Sequence, residues 1–160
     1  MARPIKVPLR QFVTQWSTAG HVFRKNLHNV EVMIGRAAVD VFKGSFEKHR
    51  FNTQGSTRWK PYDGHYLHET GTLKNSIKLK GVKRQATGDQ VIVYTDPNDF
   101  SRAARHKGFC YAGVHNDFDK LAVLPKRGPK YRRQFIGDDS TVLEKEVMKI
   151  SVHLFDGLPH

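Results

Sequence analysis

The feature that most constrains this chain is a stripe of apolar side chains at Phe12, Trp16, Ala19, Phe23, Leu27, Val30, Ile34, Ala37 and Val41. Their mean step is about 3.6 residues, the period of an α-helix with one apolar face. The stripe predicts a helical segment from about Leu9 to Arg50, with Gly20 and Gly35 as the two places where it could break. Unbroken, such a helix would run ~60 Å at 1.5 Å per residue. A compact domain of 160 residues is narrower than that. Part of the helix is therefore expected to project, or to pack on a neighbour.

After the stripe the pattern changes. Residues 51–69 lack periodicity and hold Gly55, Pro61 and Gly64, so they read as a loop anchored by Trp59. Thr70 reads as the N-cap of one short turn through Leu73 and Ser76. Ile77 to Val82 alternates apolar and polar, as a half-buried strand does, and Gln90 to Tyr94 is a second strand. Residues 86–89, with Gly88, suit a hairpin turn between them. Residues 96–109 form a long polar, basic loop, followed by candidate third and fourth strands at 109–114 and 120–124 and a further basic loop at 125–130. A last helix, Ser140 to Leu154, puts Val142, Val147, Ile150 and Leu154 near one face, with Asp138 and Asp139 at its positive end. Helix, strands, then helix is an α+β arrangement. It reads as a single domain over 1–160: a helical segment (1–50), a strand-rich core with basic loops (51–137), and a C-terminal helix and tail (138–160).

Composition bounds the function. Hydrophobic residues make up 38% and charged residues 26%, enough for one core and hardly two. No aliphatic or aromatic run, Val91 to Tyr94 being among the longest, approaches the ~18 residues a membrane helix needs. The first twelve residues hold no apolar run of the kind a signal peptide carries. A single cysteine, Cys110, cannot build an internal disulfide and fits a reducing compartment. Secreted, membrane-spanning and disulfide-stapled classes are not expected.

The formal charge of +12 is unevenly spread: +6 over residues 1–50, +2 over 51–99, +7 over 100–137 and −3 over 138–160. A basic region followed by an acidic tail suits contact with a polyanion or a head-to-tail contact between subunits. Arg102, Arg105, Lys107, Lys126, Arg127 and Lys130, with Arg132 and Arg133, interleave with Phe100, Phe109 and Tyr131. That mixture suits salt-sensitive phosphate contact, so sequence-independent nucleic-acid binding is one reading. A solvated or protein-facing surface is the plainer one.

Catalytic signals are weak. His65 and His68 stand three apart, but zinc chemistry usually brings Cys-x-x-Cys or His-Glu-x-x-His pairings, and neither occurs. His115-Asn116-Asp117 superficially suits a metal-dependent hydrolase using His65, His68 or His115, yet no spacing aims a second imidazole or a carboxylate set at one point. Cys110 beside Tyr111 suits a small buried hydrophobe. Thr70-Gly71-Thr72 has one glycine and makes no phosphate cradle. No catalytic residue, metal or cofactor is expected.

The order of several short motifs resembles a known family. Arg50-Phe51, Gln54-Gly55, Trp59-Lys60-Pro61 and Leu67-His68-Glu69-Thr70-Gly71-Thr72-Leu73-Lys74-Asn75-Ser76-Ile77 come first. The valine-rich Val91 to Tyr94, Tyr111-Ala112-Gly113-Val114-His115 and Arg133-Gln134-Phe135-Ile136-Gly137 follow. Together, over roughly residues 46–155, they resemble the bacteriophage virion morphogenesis family of tail completion and neck proteins. Gln134 stands where that family usually has proline, and residues 96–109 look like an insertion.

The resemblance implies an antiparallel sheet, here of about four strands, flanked by long N-terminal and C-terminal helices. It implies a non-enzymatic structural protein of the virion, made in the bacterial host cytoplasm, that completes the tail or joins tail to head. Six copies would form a ring around the DNA channel, with other neck and tail proteins as partners and no membrane. Its structural anchors would be Trp59, Thr70, Gly71, Leu73, Tyr111, His115, Arg133, Phe135 and Gly137. The basic loops would face either packaged DNA, without sequence preference, or an acidic neighbour such as the Asp138-Asp139 end. Elementary chemistry suits these roles: a Trp59 ring pins its loop by burial, Gly71 permits close chain approach, and Gly137 permits an unusual backbone turn.

Overall fold

A computed structural model describes residues 9–51, 58–59, 71–85, 89–101, 135–137 and 140–158, with the side chains of the first helix from Ser17 onward. The first helix, α1 (Leu9–Lys48), runs unbroken through both glycines for 40 residues. It ends on a pair of bonds that close a left-handed C-terminal turn: the Arg50 amide donates to the Ser45 carbonyl at 3.1 Å and the His49 amide to that of Phe46 at 3.3 Å. His49 takes the left-handed position, φ 51°, where glycine is commoner. The turn swings Phe51 back into the interior, 5% exposed.

The buried face of α1 is not the one the apolar stripe marks. Val30 is buried as expected, but further along it is Ala38, Phe42 and Phe46 that are buried, while Ala37 and Val41 are half-buried. Glu31 and Ser45 are buried beside them. The reason is that this half of α1 is packed from two sides, by a hairpin and by the C-terminal helix. Two contacts widen the covered arc beyond one stripe.

The hairpin joins β1 (Ile77–Lys83) and β2 (Gln90–Thr95), which pair antiparallel. The short helix α2 (Thr72–Asn75) leads into it, and the one-turn helix α3 (Asn98–Ser101) follows. Pairing runs Ile77 with Thr95 and Leu79 with Val93, then resumes with Gly81 opposite Ile92 and Val82 opposite Val91. Lys80 is the extra residue of a bulge, and Gly81 adopts φ 133°, which glycine tolerates. The bulge corrects the simple alternation expected over residues 77–82. By register, it returns Val82 to the face of Leu79 and Val91 rather than turning it away.

That face meets α1 at Gly35. A Cβ built there would lie 2.5 Å from Leu79 Cδ1 and 3.0 Å from Val91 Cγ1, so the missing side chain lets helix and sheet approach closely. The loop expected from residue 96 begins instead as ordered structure. The Asp96 amide donates to the Ser76 carbonyl at 2.8 Å, extending the hairpin, and α3 buries Phe100 completely.

The last helix, α4 (Thr141–Ser151), is capped by Ser140, whose hydroxyl accepts from the Leu143 amide at 3.2 Å, and passes into a 3-10 turn over Val152–Phe155. It runs antiparallel to α1: Val142 and Glu146 lie beside Val41 and Lys48, whereas the Asn26 side chain donates through Nδ2 to the carbonyls of Leu154 and Asp156. The chain is thus α+β, with a long N-terminal helix, a two-stranded antiparallel sheet among the described residues, and a C-terminal helix. The strands expected at 109–114 and 120–124 lie outside the described residues. Among those described, no helix is long and apolar enough to cross a membrane.

Candidate functional site

Phe46 organises the core. The Trp59 ring stands edge-on to it at 5.5 Å and 75°, and Phe135 packs at 5.2 Å and 53°. Leu73, Ile77 and Phe100 complete the cluster with Ala38, Phe42 and Phe51. Three expected anchors, Trp59, Leu73 and Phe135, therefore converge on one place from three separated segments. The Trp59 amide also donates to the His49 carbonyl, tying its loop to the end of α1. Phe100, read from the sequence as an aromatic among basic residues, belongs to this core instead. Its neighbours Asn98, Asp99 and Ser101 are polar, so no local pattern marked it.

Two glycine expectations change. The N-cap of α2 is Gly71, φ 68°, with no side-chain capping bond, rather than Thr70. The value of Gly71 is thus its left-handed backbone, since a Cβ there would meet only Asn75 Nδ2 at 3.3 Å. The left-handed glycines among the described residues are Gly71, Gly81 and Gly157, and the half-buried Gly137 is not one of them. Thr70, Tyr111, His115 and Arg133 lie outside the described residues. So do Arg102, Arg105, Lys107, Lys126, Arg127 and Lys130, and so do His65, His68 and Cys110.

Charged clusters brace the edges of the fold. Lys78 bridges Asp96 and Asp99, each at 2.9 Å, and fixes the turn after β2. The hydrogen bond from Lys78, then that from the Asn98 amide, holds the Asp96 carboxyl below its ordinary value. Asp96 and Asp99 in turn push the Lys78 ammonium above its own. On the other end of the hairpin, Arg84 donates to Glu31 at 2.6 Å and also to Asp89, clipping the ends of the two strands onto α1. Arg84 depresses the Asp89 carboxyl, chiefly through that hydrogen bond. Lys74 does the same to Glu47 at 2.7 Å, joining α2 to α1. These pairs stitch neighbouring elements together. Among the described residues, no group of three or more His, Cys, Asp or Glu is placed to hold a metal ion.

Among the described residues the surface offers two grooves and an apolar stripe. Two open grooves flank Asp40, one of about 340 Å³ between α1 and α4 and one of about 400 Å³ between α1 and β1. Val142, Val147, Ile150 and Leu154 are half-buried, the face expected from the sequence. On the other side Met148, Val152 and Phe155 are 70%, 62% and 62% exposed. They repeat at i, i+4 and i+7, so they form a second apolar stripe that faces solvent. Sequence reasoning missed it by stopping at the first face, though the spacing was there to read. In comparisons with known proteins, no family model, no curated protein and no solved structure matches this chain.

Proposed function

We propose that this chain is a non-enzymatic structural protein of a bacteriophage virion that completes the tail or joins tail to head, with six copies in a ring around the DNA channel. The observation that carries the reading is the convergence of Trp59, Leu73 and Phe135 on Phe46. Each comes from a different motif of the resemblance, and the three act as core anchors. Within this reading the sheet extends to about four strands through residues 109–114 and 120–124. Its partners are further copies of itself and other neck and tail proteins, and its place is the virion after synthesis in the bacterial host cytoplasm.

Electron microscopy of virions decorated with antibody against this chain tests the reading. Label at the neck or tail end is the expected result, and label absent from virions overturns it. The basic loops have two uses within the same reading. Neutralising Arg102, Arg105, Lys107, Lys126, Arg127 and Lys130 together should block head–tail joining if they dock on an acidic neighbour. If they face channel DNA, joining survives and DNA retention or passage fails.

A second reading, sequence-independent nucleic-acid binding, is favoured by the net charge of +12. Steep salt dependence of binding to duplexes of unrelated sequence by the isolated protein would support it, and absence of binding at low salt would remove it.

A further inference from the structure

We infer that the exposed stripe Met148–Val152–Phe155 of one copy receives the N-terminal half of α1 from a second copy, in a head-to-tail contact. This rests on the multi-copy reading above and names the surfaces that would build it. The C-terminal segment is apolar on two sides: Val147, Ile150 and Leu154 are half-buried, and the stripe faces outward. A helical segment apolar on opposite faces is one expected to be covered on both.

Helix length, side-chain spacing and charge point to α1 as the occupant. The C-terminal segment of the same chain reaches back along α1 as far as Asn26 and Val22. From there α1 continues to Leu9, a further ~20 Å at 1.5 Å per residue. Phe12, Trp16 and Ala19 have, in sequence, the same four-then-three spacing as Met148, Val152 and Phe155. Phe23, the next residue of that stripe, is 38% exposed, high for a phenylalanine. Charge agrees with spacing. Residues 9–30 carry Arg10, Arg24 and Lys25 and no carboxylate, a net +3, against −1 for residues 140–158, which carry the stripe. Two C-terminal segments set face to face would juxtapose like charge, so a symmetric pairing of α4 on α4 is disfavoured. A contact between two different surfaces is heterologous, and it closes into a ring when the rotation permits.

The test is sedimentation of the purified full chain, with circular dichroism to verify folding. Wild type should self-associate, more weakly at high salt. Phe155→Asp on one surface and Phe23→Asp on the other should each weaken association by roughly 30-fold or more. Mixing the two variants should restore a 1:1 dimer and nothing larger, because each retains one intact surface. Should Phe23→Asp disturb the fold, Arg24→Glu with Lys25→Glu replaces it. A mixture that stays monomeric overturns the contact, as does wild type that is monomeric at every concentration reached. Rings that persist in the variants also overturn it, while leaving the ring itself standing. Labelling of virions judges the neck reading separately.

Discussion

The ring of Phe135 lies 5.2 Å from that of Phe46, tilted by 53°, and is 1% exposed. It ties the segment before α4 to the end of α1, and Trp59 packs edge-on to the same Phe46. Truncation to Phe135→Ala should therefore cost ~3–5 kcal/mol, the range for losing a buried aromatic ring. The exposed Lys80→Ala should stay within ~0.5 kcal/mol of wild type. Urea unfolding of both variants measures the difference. Similar losses in the two would mean that Phe135 does not anchor the core.

What the sequence made legible was whatever repeats locally. Helix α1 followed from its 3.6-residue period, and β1 and β2 from their alternation and flanking turn residues. Three features had no local signal. Phe100 sits in a polar neighbourhood, and only the fold brings it to Leu73 and Ile77. Glu31 lies on a buried part of α1 because Arg84, far along the chain, reaches it. Ala38 and Phe42 displace Ala37 and Val41 from the deepest positions because two elements, rather than one, cover α1. Each depends on tertiary contact, which a window of a few residues does not contain.

The Glu31–Arg84 pair makes an asymmetric prediction. Glu31 is 6% exposed, whereas the Arg84 side chain is 53% exposed. Removing the arginine leaves a buried carboxylate without its cation, and such stranding costs more than the pair contributes. Arg84→Ala should therefore lower the Tm, and adding Glu31→Gln to it should recover part of the loss. Thermal melts of the two variants decide this. A double variant less stable than Arg84→Ala alone would contradict the account.

Lys78 and Asp96 set a pH window. The folded state holds Asp96 below its ordinary value, so that contribution is complete above the ordinary aspartate range and is lost as pH falls through the depressed value. Lys78 is held above its ordinary value, so its contribution is complete below the ordinary lysine range and is lost as pH rises through the raised one. The Tm difference between wild type and Lys78→Met should be greatest between those limits and shrink toward both. It should also shrink with salt, since the Lys78 side chain is 42% exposed. A difference independent of pH would show that the ammonium acts only through the packing of its stem.

Gly20 and Gly35 occupy the same helix and should respond oppositely to alanine. Alanine gains ~1 kcal/mol over glycine in a helix interior by restricting the unfolded chain and shielding the backbone. At Gly20 nothing lies within 4 Å of an added Cβ, so Gly20→Ala should stabilise α1 by roughly 0.5–1 kcal/mol. At Gly35 the new methyl meets Leu79 Cδ1 at 2.5 Å, Leu79 Cδ2 at 2.9 Å and Val91 Cγ1 at 3.0 Å. Leu79 can swing its far end aside, but Val91 is β-branched and stiff, so the sheet must move off the helix. Overpacking of that kind costs ~1–3 kcal/mol and outweighs the helix gain, leaving Gly35→Ala about 1 kcal/mol less stable than wild type. Val91→Ala should remove the methyl that cannot swing away, so the Gly35→Ala substitution should cost less in that background. Urea unfolding of the four chains tests the coupling. An equal cost of Gly35→Ala with Val91 present or truncated would mean that the glycine is not there for the close approach of helix and sheet.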